Sequence, residues 1–148
     1  MDSAAANLGM YKRVEVETAS QGKLIVMLFN GAIQRAEEAR RHIAQNQRQG
    51  AHNNLLRAQE IISELRSALN MNAGEVAQNL DRCYEYCHHL LVAANVKKEV
   101  EPIDECVRHM TDLRDTWQEL FDSLRQQEKA HQAPIANPHG NSLINIQG

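Results

Sequence analysis

The pattern of apolar positions along the chain predicts four helices. Ile25, Leu28, Ala32, Ala36, Ala39 and Ile43 recur at helical steps, with Ser20 as N-cap, Thr18 as a second hydroxyl and Gly50 as the stop. Asn53 is the expected cap of a second helix, whose stripe is Leu55, Ala58, Ile62, Leu65 and Leu69, widened by Ile61 and Ala68. The segment Asn70-Met71-Asn72-Ala73-Gly74 breaks it with residues that tolerate left-handed backbone. Val76, Leu80, Cys83, Cys87, Leu90 and Ala94 mark a third helix, and Ile103, Val107, Met110, Trp117, Phe121 and Leu124 a fourth, with Pro102 in its first turn. All three connections are short, which predicts antiparallel neighbours and an all-α, up-down four-helix bundle. The divisions expected are a cap segment over residues 1–17, the bundle over 18–125 and a flexible, disordered C-terminal tail over 126–148.

One segment departs from a simple stripe. Leu24-Ile25-Val26-Met27-Leu28-Phe29 is six large apolar residues in a row, more than a full turn. A helix with one apolar stripe keeps a wet face; this one needs cover on both sides, from a second bundle helix or from something else.

Composition narrows the picture. The chain has 148 residues, 43% of them hydrophobic, 4% aromatic and 3 proline, which favours one helical domain with a real core. A net charge of -3 gives no reason to expect nucleic acid. The apolar runs are too short to insert in a membrane, and MDSAAANLGM lacks the pattern of a secretion signal, so a cytoplasmic (cytosolic) protein is expected. Three cysteines in such a chain read as free thiols.

No motif pairs a nucleophile with a base and no glycine-rich phosphate loop is present, so no enzyme and no cofactor is expected. Cys83, Cys87, Cys106 and His109 form a ligand set of tetrahedral type, because Cys106 is expected to lie near Cys87 across the turn. The alternative is that small cysteines fill the bundle stripe. A metal- or redox-sensing bundle is therefore the rival function. A histidine phosphotransfer bundle ranks below it, because His88 and His89 lack a local Lys-Gly pattern.

Five ordered pieces resemble the bacterial flagellar secretion chaperone family (FliS, the flagellin export chaperone). They are Tyr11-x6-Thr18-Ala19-Ser20 followed by KLIVMLFNGAI, then IISELRSALN, GEVAQNL with Tyr84 and Tyr86 after it, LLVAAN, and LRDTW. The resemblance covers roughly Leu8 to Leu124. It departs where Gln21 follows the cap serine in place of a frequent proline, and where Ala73-Gly74 replaces a frequent Gly-Gly.

That resemblance implies a bundle with a short N-terminal cap that binds the C-terminal region of flagellin, keeps it from polymerising and presents it to the flagellar export gate. A flagellin regulator protein is a further implied partner, and uncovered apolar surface leaves open a monomer or a weak homodimer. The expected partner-binding residues are Leu8, Tyr11 and Val14 of the cap, Leu24, Met27 and Leu28 at the start of the first helix, and Leu65, Leu69, Leu91 and Asn95. Leu65, Leu69 and Leu91 read first as core, and Asn95 has the alternative reading of a helix cap. In the tail, Leu143-Ile144-Asn145-Ile146 reads either as solvated or as an apolar patch that docks in the client groove.

Overall fold

The computed structural model describes residues 10–131, with the side chains of 21–130. Its helices are α1 (Met10–Ala44), α2 (Arg48–Ser67), α3 (Glu75–Lys97) and α4 (Glu101–His131), with a 3₁₀ turn at Met71–Ala73 between α2 and α3. They form the expected antiparallel bundle, in which α1 packs on α2 and α4, and α3 packs on α2 and α4.

The core runs the length of the bundle through Ile25, Phe29, Ala32, Ala36, Leu55, Ala58, Ile62, Leu65, Tyr84, Cys87, Leu91, Ala94, Ile103, Cys106, Met110, Trp117 and Phe121. Small residues bring α1 and α2 close. A Cβ on Gly31 would sit 3.5 Å from Ile61, and one on Gly50 would sit 2.5 Å from His42 Nδ1. Gly50 is thus inside α2 as a close-approach residue, not the stop of the first helix. The stop is the turn at Asn46, whose φ of 60° is the left-handed conformation that asparagine tolerates.

Three further helix boundaries differ from expectation. α1 runs unbroken through Glu17 and Ser20, so Ser20 lies in a helix interior and not at an N-cap position. Gln21 in place of proline fits this, because proline there would delete a helical hydrogen bond. α2 begins at Arg48 after Gln47, with Asn53 a turn and a half inside it. α4 continues past Arg125 to His131.

At the second break, Asn70 Oδ1 accepts from the Asn72 amide at 3.1 Å, and Gly74 holds φ 99° with open space around it. Only the second residue of Ala73-Gly74 needs positive φ, so the alanine there brings no strain. Pro102 sits in the first turn of α4, behind the Asp104 amide that bonds to Val100 O at 3.0 Å.

The lengths are unequal. α1 has 35 residues and α4 has 31, against 20 in α2 and 23 in α3. At ~1.5 Å per residue α1 is about 52 Å long and α2 about 30 Å. Gly22 lies under the Phe121 ring, so the start of α1 and the end of α4 extend beyond α2 and α3 at the same end of the bundle.

Candidate functional site

The third helix has two apolar lines, and the expected stripe mixed them. Ala77, Tyr84, Cys87, Leu91 and Ala94 face the core. Val76 is 57% exposed and Cys83 is exposed, on the side of α3 that borders α4. Between these helices lies a cleft of about 540 Å³ lined by Asn79, Arg82, Cys83, Tyr86, His109, Asp112, Leu113 and Thr116. Leu120, partly exposed on α4, and Val76 continue its apolar edge toward the end of α4.

The cleft has an aromatic floor and a polar far end. Beneath it, Trp117 Nε1 donates to Tyr84 Oη at 2.9 Å, the Tyr84 ring lies 5.9 Å from Phe29, and Trp117 stacks on Phe121 at 5.5 Å. Burial raises the Tyr84 hydroxyl pKa well above its usual value. At the far end, the Tyr86 hydroxyl donates to Glu105 Oε2 at 2.5 Å, and His109 Nε2 lies 3.5 Å from the same oxygen. The hydrogen bond from Tyr86 lowers the Glu105 pKa and raises that of Tyr86. The Tyr86 ring meets His109 edge-on at 5.6 Å.

Two more exposed apolar patches lie on other faces. Leu24, 48% exposed, and Met27, 59% exposed, flank α2 on the outer side of α1, with Met71 exposed in the 3₁₀ turn. Leu28 is half-buried against the core. On the α2/α3 face, Leu56, Val92 and Val96 are exposed, and a shallow hollow is lined by Leu56, Gln59, Glu60, Ser63 and His88. Arg66 fastens this face, with Nε 2.6 Å from Asp81 Oδ1 and Nη2 2.8 Å from Glu85 Oε2.

The fourth face, between α1 and α4, carries polar links instead. Arg40 pairs with Asp104 at 2.5 Å, and Arg114 Nη1 donates to Asn30 Oδ1 at 2.9 Å. The large exposed hydrophobics named above all lie on the other faces.

The remaining sequence-expected residues separate by burial. Leu65, Leu69 and Leu91 are core, at most 5% exposed, and offer no surface themselves. Asn95 is half-buried, its amide 3.0 Å from His52 Nδ1, and its Oδ1 accepts from Lys98 Nζ at 2.8 Å. These bonds hold Lys98, at φ 53°, as the left-handed C-cap of α3 and commit the Asn95 side chain internally. Leu8 lies outside the described residues, and Tyr11 and Val14 lie on the α1 backbone with side chains outside them.

The structure does not gather the proposed metal ligands. Cys106 Sγ donates to the Cys87 carbonyl at 3.5 Å, as their expected proximity requires. Its pKa is raised, first by hydrogen bonding with Cys87 and then by burial. Cys83 instead faces the cleft and His109 pairs with Glu105. Among the described residues no group of three or more His, Cys, Asp or Glu side chains is placed to hold a metal ion, and all three cysteines are free. Sequence reasoning missed the α3/α4 cleft, although the second apolar line of Val76 and Cys83 was a signal for it. Among the described residues no helix is long and apolar enough to cross a membrane.

Comparison with known proteins gives consistent matches. The family described as Flagellar protein FliS matches residues 3–124. The chain is 34% identical over 116 residues to the flagellar secretion chaperone FliS of Bacillus subtilis (strain 168), covering 78% of this chain and 86% of that one. It is 32% identical over 122 residues to the flagellar secretion chaperone FliS of Escherichia coli (strain K12), covering 78% and 90%. The corresponding protein of Vibrio cholerae is 29% identical over 119 residues, covering 77% and 88%.

Proposed function

The chain belongs to the FliS family of flagellar proteins, a family of export chaperones that act in flagellum assembly, and we propose that its own client is the C-terminal region of flagellin. The proposed role is to bind that region in the cytoplasm, prevent premature polymerisation and deliver it to the flagellar export apparatus. It is a binding role, with no catalytic step.

The observation that carries this reading is the distribution of exposed apolar side chains over three of the four bundle faces, above a complete core. Each large apolar side chain left in water forgoes on the order of 1 kcal/mol of burial, which a bound partner recovers. A compact ligand needs one pocket. Patches on successive faces suit a long, initially unfolded segment that lays amphipathic pieces in grooves as it wraps the bundle. Such coupled folding has an ordering cost, and an extended contact surface offsets it.

The test is isothermal titration of the full chain with the C-terminal region of flagellin, repeated for Met27→Asp and Leu120→Asp. Met27 is well exposed and Leu120 partly so, so both variants are expected to keep the parent helicity, and each thermal midpoint is measured alongside. Affinity is expected to fall about tenfold for each, the loss of roughly 1.4 kcal/mol of apolar contact. Parent-like affinity in both variants sinks the wrapped-client reading.

A further inference from the structure

We propose that residues 132–148 fold back and cover the α3/α4 cleft, with Leu143-Ile144-Asn145-Ile146 seated among Cys83, Leu113 and Tyr86. The cleft encloses about 540 Å³, and its lining mixes apolar Leu113 with polar Asn79, Tyr86 and Thr116 and the charged Arg82 and Asp112. The tail offers a matching mixture: Leu143, Ile144 and Ile146 interrupted by Asn145. Residues 132–148 carry no Asp, Glu, Lys or Arg, so burying them strands no charge.

Position selects this cleft over the other apolar patches. α4 is described to His131, beyond the start of α3, and Val76 and Leu120 lead from that side into the cleft. The α4 residues that line it, His109 to Thr116, lie about 22–33 Å back along the axis from His131. Twelve residue steps lead from His131 to Leu143 and reach roughly 40 Å when extended. Pro134, Pro138 and Gly140 are residue types that reverse a chain. Leu24 and Met27 lie on the α1/α2 side, away from α3 and α4. The patch of Leu56, Val92 and Val96 lies nearer the opposite end, where Lys98 closes α3. The family match stops at residue 124, so this tail is a feature of the chain outside the shared segment.

The cleft contains its own reporter, because Cys83 is exposed while Cys87 and Cys106 are buried. The experiment follows labelling of Cys83 by a thiol reagent in the full chain, without flagellin, against the double variant Leu143→Asp/Ile144→Asp. A cleft covered about four-fifths of the time slows labelling about fivefold, and the double variant is expected to remove that protection. Equal rates in the two chains overturn the proposal. Protection that fades on dilution also overturns it, since it assigns the cover to a second copy. A second measurement uses Asn145→Cys. Mild oxidation at low protein concentration is expected to link position 145 to Cys83 within one chain, and failure to form that link counts against the docked tail. Neither readout involves flagellin, so the outcome is independent of the client reading.

Discussion

The two sides of α4 are built on opposite principles. Toward α1, Gly22 admits the Phe121 ring so closely that a Cβ would lie 2.6 Å from it, and the rim is tied by Arg40–Asp104 and Arg114–Asn30. Toward α3, a cleft lies beside the Tyr84–Trp117 pair, edged by Val76, Cys83, Leu113 and Leu120. One helix therefore faces a sealed joint and an open one. The difference lies in side-chain size at the contact: a glycine permits closure toward α1, whereas two large rings, Tyr84 and Trp117, meet between α3 and α4.

The largest expected effect comes from breaking the sealed side. Gly22→Val puts a branched side chain where Phe121 sits, and the stacked Trp117 leaves the ring little room to retreat. A loss of about 2 kcal/mol is expected in urea unfolding, with an unchanged slope. A stability within 0.5 kcal/mol of the parent, on the scale of about ±0.5 kcal/mol typical of neutral surface changes, would show that the joint is looser than described.

Next in size is the floor of the open side. Tyr84→Phe strands the buried Trp117 N–H, for a loss of about 1–2 kcal/mol. The same substitution tests the raised Tyr84 pKa. The folded state keeps the phenol protonated while the unfolded chain ionises near its ordinary value of about 10, so stability is present below that pH and is lost as pH rises beyond it. Denaturant midpoints measured between about pH 9 and 11 should fall less steeply in Tyr84→Phe than in the parent. Parallel slopes would mean that Tyr84 reaches water. The smallest effect is on the rim. Arg40 and Asp104 are both more than a third exposed, so Asp104→Asn should change stability by at most about 0.5 kcal/mol, and less at high salt.

Much of this arrangement was legible in the sequence, and the rest was hidden for identifiable reasons. Helical periodicity gave all four helices, and Gly74 was rightly read as a backbone device. Gly50 was not, because a glycine that ends a helix and one that lets two helices approach look alike until the partner, His42, is in view. Val76 and Cys83 were read as core because periodicity reports that a face is apolar, not what lies against it. Tyr84 does not read as core from the sequence, because its hydroxyl is polar until Trp117 supplies the bond. The double-faced start of α1 was legible: Ile25 and Phe29 took the core, and Leu24 and Met27 were left outside.

The Gly22–Phe121 joint has a consequence for how the molecule forms. The other three seams join helices that follow one another along the chain, and each closes a short connection. This joint links positions 22 and 121, nearly the whole described length, so its closure entropy is the largest of the four. Folding is expected to proceed hairpin by hairpin, with this seam last. On a ribosome, α1 is made first and waits longest for its partner.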